Sequence, residues 1–402
     1  MEVHGSCDPK FQSVRQEFEK NFRERGEVGA SVCVTVQGKT VVDLWGGIAR
    51  TDTKAPWKED TLSVVFSSTK GATAICMHIL ASRGKVDLDA PVASYWPEFA
   101  QAGKEKIPVK MLLNHQAGLP AVRAPLPQGA YANWGLMVNS LAKEEPFWEP
   151  GTRNGYHALT MGWLLGEVIR RVSGKSLGTF FQDEIAKPLG LDFWIGLPAD
   201  KEPRVAPMIA AQPDPTSPFF QAMANPGSLQ SLVLLNSGNY MGAAPEFDTR
   251  AAHAAEIGAA GGITNARGLA GMYAPLACGG KLNGVELVNA DTLARMGAVA
   301  SATGRDAVLV MPTRFALGFM KSMDNRKEPV GVQDSVLISE AAFGHVGAGG
   351  SFGFADPVAG ISFGYTMTKM GSGTSLTDRG QSLVDAMYQS LGYKSHASGA
   401  WK

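Results

Sequence analysis

Three side-chain types in this chain could do acyl chemistry together: a serine hydroxyl, a lysine amine and a tyrosine phenol. Ser67 and Lys70 stand three residues apart in Ser67-Ser68-Thr69-Lys70, which puts them on one face if a helix begins there. The apolar run Leu62 to Phe66 delivers Ser67 to the helix entrance, and Ala72 to Leu80 is rich in helix formers and apolar residues. At a helix start the Ser67 N–H lacks an intrahelical acceptor and can bind an oxyanion. A serine alone is a weak nucleophile, but a desolvated lysine can be neutral enough to take its proton. The pattern proposes serine chemistry without a histidine base.

Ser-x-x-Lys occurs twice more. Ser82-Arg83-Gly84-Lys85 sits where a helix should end at Gly84, so its residues read as a solvated cap. Ser140-Leu141-Ala142-Lys143 runs through a polar helical stretch into Glu144 and Glu145 and reads as surface. Only Ser67 combines an apolar approach, a helix start and no competing charge.

A tyrosine is the chemical candidate for a second proton-handling group, since near cations a phenol of pKa ~10 can relay a proton. Tyr131-Ala132-Asn133 matches Tyr-x-Asn literally, whereas Tyr156-His157-Ala158 does not. Tyr156, however, lies between the turn Trp148-Glu149-Pro150-Gly151-Thr152 and a strong helical stripe, where a side chain is better preorganised. Tyr156 is favoured, and Tyr131 reads as a pocket-wall or surface aromatic. His345-Val346-Gly347 and the small residues after it suggest a strand edge that a substrate carbonyl can approach. The Ala348 N–H is then a second oxyanion donor. His345 could donate a hydrogen bond to substrate, or it could simply be packed at a strand end.

Gly349-Gly350-Ser351-Phe352-Gly353 fits a nucleophile elbow, which needs a helix after the serine. Phe352 to Gly360 reads instead as strand and turn, and the only later histidine is His396 in a polar tail. The glycines are assigned to a β-turn. His78 reads as core, His115 as a structural hydrogen-bonding residue and Lys369 as solvated. Metal-ligand spacings and a phosphate loop are missing from the sequence, so no cofactor or metal is implied.

These residues need elements to position them. The 402 residues include 37 basic and 37 acidic side chains, and 45% are hydrophobic. The zero net charge gives no reason to expect nucleic acid or an anionic membrane as partner. No run is long enough for a membrane span, and the charged N-terminus does not read as a signal peptide. Four cysteines without metal spacing, two of them (Cys33, Cys76) in apolar runs, suggest reduced thiols and a cytoplasmic setting.

Phe11, Val14, Phe18 and Phe22 mark an amphipathic helix. Ala30–Val36, the turn Gln37-Gly38-Lys39 and Thr40–Trp45 read as a β-hairpin. His345–Gly347, Ser351–Ala355 and Ile361–Thr366 read as three further strands, followed by a helix with Leu376, Leu383, Val384, Met387 and Leu391 on one face. Between these ends the sequence is mainly helical, with a stripe from Ala158 to Val172 and a Pro-rich stretch, Pro203–Pro226, that suits a long surface loop on the substrate side, where Phe219 and Phe220 could line the acyl or alcohol pocket. The expected fold is α+β: an antiparallel sheet formed by the N- and C-terminal segments and flanked by helices, with an inserted helical lobe. The expected division is residues 1–85 and 259–402 for the α/β lobe and 86–258 for the helical lobe, with a cleft between them.

Taken in order, Ser67-x-x-Lys70, Tyr156 and His345-Val346-Gly347 resemble the serine β-lactamase/penicillin-binding-protein superfamily, specifically its class C β-lactamase-like, family VIII carboxylesterases. Lys110–Pro120, Trp148–Thr152, Val172–Lys175, Pro188–Gly190 and Gly261–Thr264 also look like landmarks of that family. The resemblance implies a β-lactamase/transpeptidase-like fold and acylation of Ser67. It implies Lys70 and Tyr156 as general base and acid, and an oxyanion hole from the N–H groups of Ser67 and Ala348. His345 and Gly347 fall at its substrate-binding strand.

Two departures bear on substrate. The family's tyrosine motif ends in Asn where this chain has Ala158, and its third motif starts with Lys where this chain has His345. Losing the amide and the cation argues for uncharged, short-chain carboxylic esters, with weak β-lactam hydrolysis as a side activity the family resemblance allows. The alternatives are an acyltransferase or transesterase, a β-lactamase or D-Ala-D-Ala peptidase of the same fold, and a non-catalytic structural or binding homologue. Oligomeric state is not legible.

Overall fold

The computed structural model describes residues 2–242 and 244–402. The elements that frame the site are, in chain order, β1 (Val3–Cys7), α1 (Gln12–Glu24), β2 (Gly29–Val36), β3 (Lys39–Arg50), α2 (Thr69–Ser82), α3 (Thr160–Ser173), α4 (Ala266–Ala277), β4 (Phe343–Val346), β5 (Phe352–Asp356), β6 (Ile361–Met367) and α5 (Asp378–Ser390). The β2–β3 hairpin turns on Gln37 and Gly38, at φ 50° and 74°, a sense that matches the twist of the strands it joins.

The strands run β1-β3-β2-β6-β5-β4, every neighbouring pair antiparallel, with the short strand Ala55–Pro56 added beside β3. The two ends of the chain therefore meet in mid-sheet, as expected, where β2 pairs with β6. Hydroxyl pairs fasten that seam: Ser31 with Thr366 at 2.8 Å and Thr35 with Ser362 at 2.7 Å. Strand β1 was not legible, because a short edge strand of mixed polarity carries no alternating pattern.

The two sheet faces differ in bulk. Val32, Val34, Phe363 and Tyr365 pack with Phe18 of α1 and Leu383, Val384 and Met387 of α5. On the other face Cys33 clusters with Ala266 and Ala270 of α4. A Cβ at Gly364 would meet the Ala266 carbonyl oxygen at 2.2 Å, so small residues let α4 lie close to the sheet.

Every residue of α2 from Thr69 to Leu80 is buried, as befits a helix with apolar residues on all sides. α3 carries the predicted stripe and stops at Gly174, a left-handed cap at φ 73°. The Pro-rich stretch departs from expectation: Pro218–Met223 is helical and Phe219 is buried. Apolar rings this large gain by being covered. All four cysteines are free, and Cys33 and Cys76 are buried. Among the described residues no helix is long and apolar enough to cross a membrane.

Candidate active site

Ser67 lies in a single 3₁₀ turn, Phe66–Ser68, that runs directly into α2. Phe66 is held at φ 43°, a left-handed conformation costly for a bulky residue and common where a backbone is constrained for function. Surrounding bonds hold it there. The Val65 N–H donates to the Gly262 carbonyl at 2.9 Å. Thr69 Oγ1 donates to the Phe66 carbonyl at 2.5 Å, and the same hydroxyl accepts the Gly262 N–H at 2.8 Å. As expected of a helix start, the Ser67 N–H lies where no intrahelical acceptor exists.

Lys70 is fully buried. Its Nζ lies 2.9 Å from Ser67 Oγ, 2.7 Å from the Ala158 carbonyl and 2.9 Å from the Ala259 carbonyl. Burial holds its pKa well below the ordinary lysine value, since a charged amine loses its hydration there. A neutral amine has two N–H donors and one lone pair. In that form the two carbonyls take both N–H groups and the lone pair can receive the Ser67 proton, whereas in the ammonium form the third N–H donates to Ser67 Oγ.

The Tyr156 ring stands 4.7 Å from Lys70 Nζ, and its phenol faces the Ser67 side chain. Burial, chiefly, raises the phenol pKa, the Ser67 contact opposes that rise, and the nearby Asp306 carboxylate adds to it. The backbone N–H groups of residues 155–157 are all tied. Gly155 N–H donates to the His115 carbonyl at 3.0 Å, Tyr156 N–H to Asp306 Oδ1 at 3.0 Å, and His157 N–H to His115 Nδ1 at 3.1 Å. Asp306 also accepts from the N–H groups of Val308 and Leu309, at 2.8 and 2.9 Å. The Tyr156 ring stacks on Phe315 at 6.0 Å and 11°. Sequence reasoning missed Asp306; its one signal is a lone carboxylate before the apolar run Ala307–Met311.

Strand β4 forms the third side. Ser68 Oγ lies 3.1 Å from the carbonyl oxygens of both His345 and Ser351, and Ser351 Oγ donates to the Val65 carbonyl at 2.8 Å. Ser351, with no exposed surface, is thus a tie between the β4–β5 turn and the Ser67 turn. A Cβ on Gly347 would meet the Val65 carbonyl oxygen at 2.1 Å. Gly347 is therefore small so that β4 can press on the nucleophile turn, and it does not itself line the cleft as its expected substrate-binding role would require. No backbone carbonyl among the described residues accepts the Ala348 N–H.

His345 lies in the cleft wall with its ring 6.1 Å from that of Tyr156. Nδ1 faces the Val346 carbonyl at 2.8 Å, and Nε2 has no partner. The carbonyl requires the proton on Nδ1, so Nε2 presents an acceptor. That reverses the donor role suggested by the sequence.

The remaining sequence candidates lie apart. Tyr131 is buried and donates to Glu246 Oε2 at 2.5 Å; it does not line the cleft, which corrects its reading as a pocket-wall or surface aromatic. His78 bonds the Leu317 carbonyl at 2.8 Å inside the core, and Ser82, the last residue of α2, accepts the Asn289 N–H at 2.9 Å. Lys143 is exposed. Among the described residues no group of three or more His, Cys, Asp or Glu could hold a metal ion.

Ser67 and Tyr156 open onto a cleft of about 320 Å³. Its walls include Phe66, Phe219, Phe220, Leu234, Met241, Phe247, Met320 and Met370, and no Lys, Arg, Asp or Glu is among its lining residues. The polar side chains nearest the chemistry are Ser67, Tyr156 and His345.

An antiparallel sheet closed by both chain ends, with a buried lysine behind a serine at the head of α2, defines a β-lactamase/transpeptidase-like serine hydrolase. The family model described as Beta-lactamase matches residues 15–387, and the chain belongs to that family. It is 34% identical to the esterase/beta-lactamase LipL of Mycobacterium tuberculosis, over 94% of this chain and 85% of that protein. A crystal structure of a family VIII carboxylesterase superposes with a TM-score of 0.84 at 38% identity, covering 97% of this chain and all of that one. EstA from Arthrobacter nitroguajacolicus Rue61a gives a TM-score of 0.84 at 32% identity, covering 98% of this chain and 99% of its own. These likenesses agree with the family VIII resemblance read from the motifs.

Proposed function

We propose that this protein is a carboxylesterase acting on small uncharged esters through an acyl-enzyme on Ser67. The observation that carries the reading is the 2.9 Å approach of a fully buried Lys70 amine to Ser67 Oγ. Ser67 Oγ attacks the ester carbonyl carbon while its proton passes to Lys70, coupled to Tyr156. The oxyanion lies between the N–H groups of Ser67 and Ala348, where each donor contributes on the order of 3 kcal/mol. The carbon–oxygen bond to the alcohol breaks as Tyr156 supplies a proton to the departing alkoxide and is reprotonated by the Lys70 ammonium, which returns both groups to their starting states. Water then repeats the sequence on the acyl-enzyme and releases the acid.

The uncharged cleft supports esters over β-lactams. A β-lactam carboxylate would enter with no cation to meet it, and an unpaired charge is costly to desolvate. With a chromogenic short-chain ester and a chromogenic cephalosporin, kcat/KM should favour the ester by on the order of 100-fold or more. Equal or inverted values would remove the substrate assignment.

A further inference from the structure

Among the side chains lining the cleft, His345 carries a buried polar atom that the proposed mechanism does not use. His345 is 1% exposed, its Nδ1–H is committed to the Val346 carbonyl at 2.8 Å, and its Nε2 has no partner. A buried acceptor left unpaired costs about 1–3 kcal/mol, so the site gains whenever a bound molecule brings a donor to it. We infer that His345 is a specificity-determining acceptor selecting esters whose alcohol half carries a second hydroxyl, donated to Nε2. The inference rests on the proposed Ser67 acyl-enzyme.

The kind of donor follows from the surroundings. Burial, with the Lys70 amine as a lesser influence, lowers the imidazole pKa to about 3, so the ring stays neutral and Nε2 remains an acceptor through the ordinary pH range. A carboxylate would face that lone pair and be repelled. An ammonium would find no carboxylate among the cleft-lining residues. A neutral hydroxyl meets the acceptor without a charge to desolvate. The half of the ester involved follows from Tyr156. Its phenol is the proton source for the departing alkoxide, and its ring stands 6.1 Å from that of His345. The acceptor therefore lies beside the path of the leaving alcohol, on the side where a hydroxyl two carbons from the ester oxygen would be carried.

The test uses 2-hydroxyethyl butyrate and propyl butyrate, near-isosteric esters that differ by that hydroxyl. Wild-type kcat/KM should favour the hydroxyethyl ester by about 5–10-fold, the worth of one hydrogen bond. His345→Phe should bring the ratio to about 1, whatever its absolute rate. A wild-type ratio at or below 1, or a ratio that survives His345→Phe, overturns the inference. If His345→Phe does not fold, product inhibition of the wild type decides. Ethane-1,2-diol should inhibit more strongly than propan-1-ol, and the reverse order overturns the inference. Ser67→Ala separates the two levels: turnover of both esters retained there removes the acyl-enzyme reading, whereas a wrong ratio alone removes only the role of His345.

Discussion

The cleft has two walls built on different principles. The inner wall, from the Ser67 turn, α2, the Tyr156 segment and β4, is held by hydrogen bonds at nearly every polar group: Lys70 to two carbonyls, Tyr156 N–H to Asp306, and Ser68 and Ser351 to the strand and turn beside them. The outer wall, from residues 208–247, lines the cleft with Ala210, Ala211, Pro213, Phe219, Phe220, Leu234, Met241, Pro245 and Phe247, none with an ionisable or hydroxyl group. It is anchored at separate points: Ile209 between Thr368 and Met370, Gln230 on the carbonyls of Ala307 and Val308, and Asn236 on those of Val122 and Ala124. Directional bonds fix atoms to fractions of an ångström, which proton transfer requires. Dispersive contacts fill space and tolerate exchange of one apolar group for another. The inner wall should therefore govern kcat and the outer wall KM.

Substitutions can break that division. Ser67→Ala should have the largest effect, lowering kcat by at least about 10⁴-fold with the fold intact by circular dichroism. Lys70→Met keeps the volume and removes the base, and should cost on the order of 10³-fold. The wild-type rate should fall as pH drops through the depressed Lys70 pKa, because the protonated amine cannot accept the Ser67 proton.

Lys70 also makes a stability prediction. Between its depressed pKa and the ordinary lysine value of ~10.4, the unfolded chain binds more protons at this position than the folded one. Wild-type stability relative to Lys70→Met should therefore rise with pH across that window and level off above it in denaturant titrations. A flat difference would mean that Lys70 is charged in the folded protein.

Tyr156→Phe should lower kcat by about 10²-fold. On the outer wall, Phe220→Ala should change kcat/KM by no more than about tenfold, mostly through KM and more for longer acyl chains. A large loss in kcat there would mean that the two walls are not separable.

How far the sequence revealed these walls follows from the range of the interactions. Ser67 and Lys70 are joined by one helical turn, so their pairing could be read from spacing. The hairpin and the three C-terminal strands were legible through alternation and turn residues. Tyr156 could be preferred to Tyr131 only by its place before α3, and the structure puts it beside Lys70 while Tyr131 bonds Glu246 outside the cleft. Asp306 meets Tyr156 across 150 residues of chain, and no local pattern reports such a contact. The direction of His345 was equally hidden, because it depends on which ring nitrogen meets its neighbour's carbonyl. Composition placed the Pro-rich stretch on the substrate side with Phe219 and Phe220 beside the pocket, where both rings line the cleft, but it did not report the helix Pro218–Met223.

The acyl-enzyme claim is tested most directly by mass spectrometry of protein treated with a serine-directed alkyl phosphonate. One adduct is expected on the wild type, localised to Ser67 by fragmentation, with labelling lost in Ser67→Ala and retained in Ser351→Ala. Equal labelling of wild type and Ser67→Ala, or an adduct localised to Ser351, would contradict the assignment of Ser67 as nucleophile.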